Sequence, residues 1–449
     1  MDYKYFGIIL YFAGIITTYY IMKLAGYSLK RPSIPSVLFI FYFGWSYIGY
    51  LMLFLGISKY HDLTNEVIVY KMFLGNYGAI SAIFIGILCS SVLLKRRSVC
   101  SAVYSDFPIQ IYKKQFIIYF FLMFVSILVV IKFWSQLKTI PLLALIQGSS
   151  YSELQILRSE ATSSFQGKAF LYYSVMEGGL PFLSYFYYAY YLINKTIRVR
   201  LIWYCILGFT LFVLLQALVK GSFVIYLFGL LITNYLVLNK KISWKVLVGY
   251  AFVALVFVMI FYSFILGRQE GVLENILVPL GSRAFIGQIR SLYYYYEMFP
   301  TAHDYLLGQS LGFPGFIHGL LFDERYRITV EVMNYIHPGR YIDRVGKANT
   351  VYWGEIMANF SYWLVIPLSF LIGLYIGTVQ IALESRRSLL SIALLVYLSL
   401  YFKSIAATGV SILLPFNSQL LVVVGFSFLI FLFGRKKISH LNRGFVNVK

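Results

Sequence analysis

Long apolar runs separated by short basic loops make up most of this 449-residue chain. Each run is continuous over about 20 residues, the length that an α-helix needs to cross a bilayer, and lacks the alternation of a barrel strand. We therefore predict an all-α, polytopic integral membrane protein. The eleven predicted spans are residues 5–22, 36–57, 72–94, 115–133, 169–193, 201–218, 222–238, 246–266, 351–380, 389–407 and 412–433.

One pair of runs, 201–218 and 222–238, has two interpretations. The first is a hairpin that turns at Lys220, Gly221 and Ser222. The second is a single disrupted region.

Basic residues in the short loops predict the orientation of the chain in the membrane. Most of the Lys and Arg residues outside 267–350 fall in one alternating set of loops, which includes 95–97, 240–245 and 435–449. Short loops rich in Lys and Arg stay in the cytoplasm. The N-terminus is therefore predicted to lie outside the cytoplasm and the C-terminus inside it.

The segment 267–350 differs in composition from the rest and is predicted to be a large extracytoplasmic loop. It holds seven arginines, three of the five histidines and eight carboxylates. We expect an N-terminal bundle of about eight helices over 1–266, this loop, and a C-terminal unit over 351–449 with a basic tail. Because the chain concentrates its ionisable residues in this one long loop, the loop is the expected site of chemistry.

The net charge of +21 does not indicate nucleic-acid binding. The excess sits beside membrane spans, where it sets orientation and meets anionic headgroups, and no nucleic-acid-binding motif accompanies it. Membrane lipids are therefore the expected partners of this charge.

Three arginines of the loop are candidate ligands for a pyrophosphate group. Arg283 and Arg290 are seven residues apart and share one helix face, and Arg268 lies just past the preceding span. The planar guanidinium group forms paired hydrogen bonds with phosphate oxygens, and lipid-linked sugars present a pyrophosphate at this depth. Contacts with lipid headgroups or with the loop's own carboxylates are the alternative.

The apolar positions between these arginines predict how their helix lies. Ile286, Ile289, Tyr293 and Tyr296 form another face, which is typical of a helix at the membrane surface with its arginines turned to a polar cavity. For the arginines of DERYR, at 325 and 327, pairing with carboxylates or headgroup contact is the favoured interpretation.

The histidines and carboxylates of the loop show no metal-binding spacing, so neither a metal nor a cofactor is predicted. His337 lies in the turn IHPGRY, beside Arg340, and a lone loop histidine is more often structural than catalytic. Arg158, in the outer loop 134–168, is a further candidate for phosphate contact.

Glu355 is the carboxylate that stands out in the apolar segment after the loop. It is predicted about one turn inside the span 351–380, where a carboxylate needs a partner or a function. Burial would raise its pKa and suit it to general acid or base work. A structural pair with an arginine of the loop is the equal alternative.

Four stretches of the chain resemble the bacterial O-antigen polymerase (Wzy-type) family. They are KGSFVIYLF at 220–228, GRQEG and GSRAF, which place arginines past a span, and ANTVYWGEIMANF, where Gly-Glu enters the next helix. The general plan of eleven to twelve spans with one large outer loop is similar too. The chain departs from the family in having Phe223 after Gly-Ser, where members usually have arginine.

The resemblance implies a GT-C-like, metal-independent glycosyltransferase. It would move a growing glycan from undecaprenyl pyrophosphate to the non-reducing end of a lipid-linked repeat unit, with a chain-length regulator as a partner to be tested. Pyrophosphate would contact arginines, and the acceptor hydroxyl would need a base, Glu355 first and His337 second. The candidate substrate-binding residues are Arg268, Arg283, Arg290, Arg158, Arg340, Asn349 and Tyr352.

Two other functions remain open from the sequence. A flippase of lipid-linked sugars would bury charges at mid-membrane and show paired halves, whereas the ionisable residues here crowd on one side. An O-antigen ligase uses the same donor and a similar loop, and would differ in its lipid A core acceptor.

Overall fold

A computed structural model describes residues 3–57, 60, 62–94, 109–162, 165, 169–253, 256, 281–313, 315–338, 347–414 and 416–433. These residues are almost entirely helical, with one isolated bridge, Gln110 to Ser388, and no strand among them.

The described residues of the N-terminal half form twelve α-helices, two of which continue through π-helical turns, at Tyr42–Tyr47 and Ser174–Gly179. The helices are α1 Tyr3–Leu24, α2 Ile34–Phe41, α3 Ile48–Phe54, α4 Glu66–Leu93, α5 Lys113–Trp134, α6 Pro141–Ile146, α7 Tyr151–Ala161, α8 Ala169–Tyr173, α9 Leu180–Ile193, α10 Ile197–Leu215, α11 Lys220–Val237 and α12, described over Trp244–Val253.

The described residues of the C-terminal half form seven further α-helices, with a π-helical turn at Ser282–Ile286 before the first. The helices are α13 Gly287–Met298, α14 Gly315–Leu321, α15 Ile328–Ile336, α16 Tyr352–Phe360, α17 Val365–Glu384, α18 Leu389–Phe402 and α19 Ser418–Phe433.

Eight described helical stretches are long and apolar enough to cross a membrane, which confirms a polytopic membrane architecture in coarse form. The other three of the eleven predicted spans are not confirmed among the described residues. The helix at 169–193 is interrupted by a π-helical turn, α11 has a shorter apolar stretch, Gly221–Val237, and the run at 246–266 is described only in part. The eight stretches are Tyr5–Leu24, Ile34–Phe54, Glu66–Leu93, Lys114–Trp134, Ile197–Leu215, Tyr362–Glu384, Leu389–Ala406 and Val410–Leu432.

The two runs with an open interpretation form two separate helices. α10 ends at Leu215 and α11 begins at Lys220, and Leu218 in the turn has a positive φ of 55°. The chain therefore turns over 216–219, ahead of the predicted turn, and Lys220, Gly221 and Ser222 lie in the first turn of α11.

The helix pair α4 and α17 packs through small residues. A Cβ added at Gly86 would overlap the backbone oxygen of Phe370, and one at Gly373 would overlap that of Ile83. Close approach of this kind is a common basis of helix association in membranes, because lipid gives apolar side chains little reason to leave it. Beside this pair, α18 forms the most buried of the eight candidate spans.

The predicted span 351–380 is broken, and this corrects the expected depth of Glu355. α16 ends at Phe360, the next residue, Ser361, has a φ of 75°, and the apolar stretch that can cross a membrane begins at Tyr362. Trp353 anchors the short helix, because its buried indole N–H donates to Asn76 Oδ1 on α4 at 3.0 Å. Glu355 therefore lies in a separate short helix ahead of the span.

The helix that carries Arg290 also differs from its prediction. Ile289 and Tyr293 on α13 are buried in the protein, and Ile289 Cδ1 packs beside Gly49 of α3. The Tyr293 hydroxyl accepts a hydrogen bond from the Asn65 backbone N–H at 3.3 Å. The apolar face of α13 thus packs on neighbouring helices, and the periodicity that predicted a membrane-surface helix reflects protein packing.

Candidate functional site

A cavity of about 1260 Å³ lies where the predicted outer loops meet the helix ends. Its lining residues lie within four parts of the chain that are distant in sequence, 310–313, 324–330, 347–355 and 408–421, and also include Phe170 of α8 and Tyr295 of α13. Positive-inside counting puts all of these segments on the same side of the membrane. The cavity is therefore a single pocket assembled by tertiary packing.

Glu355 forms a buried part of the cavity wall, with 5% of its surface exposed. Its carboxylate accepts hydrogen bonds from the Ser411 backbone N–H at 3.0 Å, from Ser411 Oγ at 2.7 Å and from Ser310 Oγ at 3.4 Å. Hydrogen bonds of this kind satisfy a buried carboxylate. Glu355 has no ion pair with a described residue, so its direct contacts are hydrogen bonds from uncharged groups.

Burial raises the pKa of Glu355 above the ordinary value for a glutamate. The hydrogen bonds from Ser411 and Ser310 favour the charged form, as does the positive charge of Arg325, but they offset the burial only in part. A carboxyl group in this state gives up and takes up its proton closer to neutral pH, which is the property that a general base or acid needs.

A second layer of hydrogen bonds holds the groups around Glu355. The side-chain amide of Asn359, one turn further along α16, donates to Ser310 Oγ and to the Glu355 carbonyl oxygen, each at 2.7 Å. The Gly312 backbone N–H donates to Ser411 Oγ at 3.1 Å. Because α16 and these two loops share one network, the carboxylate has a fixed position.

Gly409 allows the chain to pass directly over the carboxylate. A Cβ at this position would overlap Oε2 of Glu355, and its φ of −61° is open to any residue. The requirement for glycine here is therefore steric and comes from the buried glutamate.

Three cationic side chains, Arg325, Arg327 and Lys347, line the same cavity and are exposed. None of them lies within 4 Å of a carboxylate oxygen in the part of the chain that the structure describes. An exposed cation without a partner remains available to an anion that enters the cavity. The cavity thus combines a buried carboxylate with a group of accessible positive charges.

Arg290 lies away from the cavity, in an ion pair. Its Nε is 2.7 Å from Asp62 Oδ2, and its guanidinium carbon is 4.8 Å from the centre of the Tyr60 ring. The Tyr294 hydroxyl donates to the same Asp62 oxygen at 2.6 Å. Partial burial would raise the pKa of Asp62, but the hydrogen bonds from Tyr294 and Arg290 lower it below its usual range.

Several sequence candidates have other surroundings. Tyr352 is fully buried, and its hydroxyl lies 2.6 Å from Ser369 Oγ on α17. His337 is the half-buried residue that ends α15, and Asn349 is exposed. None of these three lines the cavity.

The remaining arginine candidates are not brought to the cavity by any described contact. Arg158 is exposed in the last turn of α7. Arg268, Arg340 and the side chain of Arg283 lie outside the described residues. Glu355 is therefore the one sequence candidate that the structure describes in the cavity wall.

Sequence reasoning did not single out the serines that hold Glu355, and it ranked Arg290 above Arg325 and Arg327 as a ligand for pyrophosphate. For Arg325 and Arg327 the sequence favours pairing or headgroup contact. In the structure both line the cavity, whereas Arg290 is paired with Asp62. The signal available for Ser411 was its place in TGVSILLP, a small and polar stretch where a span should begin. Ser310 lies in a stretch with no comparable signal.

Comparison with known proteins adds no family to this picture. Searches against protein-family models, curated proteins and solved structures find no match to the chain. Among the described residues there is also no group of three or more His, Cys, Asp or Glu side chains that could hold a metal ion.

Proposed function

We propose that this protein polymerises lipid-linked oligosaccharide repeat units at the outer face of the inner membrane. The growing glycan would pass from undecaprenyl pyrophosphate to the non-reducing end of an incoming repeat unit. One observation carries the proposal: a single cavity combines buried Glu355 with the exposed cations Arg325, Arg327 and Lys347.

The cations suit the donor end of this reaction. When the glycosidic bond to pyrophosphate breaks, negative charge develops on the leaving oxygen. Arginine can bind such an anion with two parallel hydrogen bonds and stays charged at any working pH. Arg325 and Arg327 are separated by one residue, and Lys347 adds a point charge to the same wall.

Glu355 suits the acceptor end. The acceptor hydroxyl oxygen attacks the anomeric carbon, its proton passes to the carboxylate, and undecaprenyl pyrophosphate leaves with the bonding electrons. The raised pKa of Glu355 makes the carboxylate a stronger base than an ordinary glutamate. Ser411 Oγ and Ser310 Oγ contact the carboxylate and also line the cavity, so they lie where a hydroxyl group of a sugar would arrive.

Apolar residues on one side of the cavity support a lipid-linked substrate. The cavity lining includes three exposed apolar side chains. They are Phe170 of α8 with 57% of its surface exposed, Phe416 just before α19 with 40%, and Leu421 of α19 with 51%. Exposed apolar side chains at the ends of membrane helices face lipid. A polyprenyl chain could therefore reach the cavity sideways while its pyrophosphate meets the cations.

The test is polymerisation by the purified protein in nanodiscs. Labelled lipid-linked repeat units are supplied in EDTA without nucleotide sugar, and products are separated by length. We expect a ladder of longer lipid-linked glycans from the wild type and a strong loss of it in Arg325→Gln. Arg200→Gln is the matched control, because Arg200 is an exposed arginine on α10 that does not line the cavity.

The other outcomes separate the alternatives. Movement of labelled lipid across a vesicle bilayer, with no ladder, would replace the polymerase by a flippase. Transfer to lipid A core, with no ladder, would replace it by a ligase. A ladder that Arg325→Gln and Arg200→Gln both leave intact would keep the polymerase and remove the cavity from its mechanism.

A further inference from the structure

A second, apolar groove of about 820 Å³ lies between α5, α17, α18 and α19. Leu390, Leu394 and Leu398 of α18 form one wall at a spacing of four residues, which places them on one helix face. Val424 and Phe428 of α19 form the opposite wall and are more than half exposed. This groove shares no lining residue with the cavity around Glu355.

The length of the groove matches one leaflet of a bilayer. Its lining on α19 extends from Leu420 to Phe431, which corresponds to about 16 Å along a helix. The hydrocarbon core of a bilayer is about 30 Å thick, so one leaflet accounts for about 15 Å. An acyl chain lying along the groove would therefore fit from the headgroup level to the middle of the membrane.

One end of the groove is polar and basic. Arg386, just after α17, is exposed, and its guanidinium carbon lies 5.9 Å from the centre of the Phe431 ring. The Tyr112 hydroxyl donates to Gln110 Oε1 at 2.7 Å, and both residues line the groove. These residues belong to loops that the positive-inside rule assigns to the cytoplasm, where anionic lipids attract arginine.

A buried acceptor at this end lacks a donor. Gln115, in the first turn of α5, lines the groove with 3% of its surface exposed. Its side-chain oxygen has no hydrogen-bond partner among the described residues. An unsatisfied buried acceptor destabilises the protein, so a molecule that brings a hydroxyl group to it is favoured.

We propose that this groove binds an anionic glycerophospholipid whose headgroup carries hydroxyl groups, the chemistry of phosphatidylglycerol. The phosphate pairs with Arg386, a headgroup hydroxyl donates to Gln115 Oε1, and one acyl chain lies along the wall formed by Leu390, Leu394 and Leu398. A zwitterionic lipid whose headgroup has no hydrogen-bond donor would leave Gln115 Oε1 without a donor and would pair less fully with Arg386. The proposal does not depend on the reaction at Glu355.

The experiment measures lipid retention on the full chain. The protein is purified in detergent, stripped of lipid, and titrated with phosphatidylglycerol or phosphatidylcholine, and the bound lipid is counted by mass spectrometry of the intact complex. We expect phosphatidylglycerol to bind the wild type and to bind Arg386→Gln about tenfold more weakly. Leu394→Trp, which fills the groove, should weaken it similarly, and Arg200→Gln, an exposed arginine elsewhere on the same predicted face, should leave it unchanged.

Three results would overturn the proposal. The first is equal binding of phosphatidylglycerol and phosphatidylcholine, and the second is equal loss in Arg386→Gln and Arg200→Gln. The third is lipid binding that appears only after residues 434–449 are removed, because the groove would then be occupied by the chain's own tail. The melting temperature of each lipid-free variant shows whether that variant folds. If Leu394→Trp does not fold, the binding measured for Arg386→Gln decides the question alone.

Discussion

Two places in this protein differ in whether their charged side chains pair with each other: the ion pair of Arg290 with Asp62, and the cavity of Glu355. At the first, a cation and an anion cancel each other at 2.7 Å, and tyrosine rings enclose them. At the second, the carboxylate is held by serine hydroxyls and a backbone N–H, while the cations of the same cavity remain unpaired with any described carboxylate.

The difference distinguishes a charged side chain that stabilises the fold from one that can bind a ligand or exchange a proton. An arginine that is already paired has its hydrogen-bonding capacity in use and would have to lose that partner to bind phosphate. A buried carboxylate without a cation keeps a raised pKa and can exchange a proton. By this criterion the cavity, rather than α13, is the place to expect chemistry.

The largest effect is expected from Glu355→Gln. Glutamine has nearly the same shape and can still accept hydrogen bonds from Ser411, but it cannot take a proton. We expect polymerisation to fall by about 10²–10⁴-fold with little change in melting temperature, because general base catalysis contributes a factor of that size. Glu153→Gln, at an exposed position on α7, is the control.

If the Glu355→Gln protein is active, the carboxylate has only a structural role, which is to hold the loop of Ser411 by hydrogen bonds. Glu355→Asp adds a finer distinction, since it keeps the base but moves it by one methylene. Partial activity in that variant, between those of the wild type and Glu355→Gln, is the result that a base requires.

Gly409→Ala should have the next largest effect, because the new methyl group would overlap Glu355 Oε2. Overpacking of this kind costs about 1–3 kcal/mol of folding free energy, and the carboxylate or its loop must move. We expect a lower melting temperature together with reduced polymerisation. Gly208→Ala on α10 is the matched control, since a Cβ there meets nothing within 4 Å and should leave stability equal or higher. Equal behaviour of the two variants would contradict the close contact.

Arg325→Gln and Arg290→Gln compare the two arginines directly. We expect Arg325→Gln to raise the KM for the lipid-linked donor about tenfold, which corresponds to one lost charge-assisted hydrogen bond. Arg290→Gln should change the KM little, because its guanidinium group is held by Asp62. A larger effect in Arg290→Gln would support the choice made from the sequence and place the donor's pyrophosphate on α13.

The pH dependence of stability should also distinguish the two sites. Folding raises the pKa of Glu355, so the folded state favours the protonated carboxyl. Its contribution to stability is complete below the ordinary pKa of about 4.3 and is lost as the pH rises through the higher folded-state value. Between those values the wild type should lose at most about 1.4 kcal/mol per pH unit relative to Glu355→Gln.

Melting temperatures of the wild type and Glu355→Gln at pH 5, 6, 7 and 8 check this expectation. The difference between the two proteins should shift in favour of glutamine as the pH rises. Parallel curves would mean that Glu355 titrates as an ordinary, solvated glutamate, and the catalytic argument would lose its main physical support.

The membrane architecture could be predicted because a bilayer imposes its thickness on every span. The break at Ser361 could not, because NFSYW contains neither glycine nor proline and the break depends on packing around α16. Trp353 bonds to Asn76, which lies 277 residues earlier in the chain. Short helices fixed by such distant contacts leave little local trace in a sequence.

The candidate site also has one part that could be predicted from the sequence and one part that could not. Glu355 was recognisable as a lone carboxylate beside an apolar run. Its partner Ser411 is 56 residues away, and the partner of Arg290 is 228 residues away, so the fold alone determines which charge is satisfied. Spacing along a helix indicates which arginines share a face, but it carries no information about Asp62, the carboxylate that pairs with Arg290.

The smallest effect is expected from the pair itself. A double-mutant cycle of Arg290→Gln and Asp62→Asn should give a coupling free energy of about 0.5–1 kcal/mol, because both side chains are partly exposed and screened by solvent. Since folding lowers the pKa of Asp62, this contribution should be present at neutral pH and disappear as the pH falls through the folded-state value. Denaturation of the four proteins at pH 7 and pH 3 measures both quantities. A coupling near zero at pH 7 would leave Arg290 as free to bind phosphate as the cavity arginines, and the contrast between the two sites would not hold.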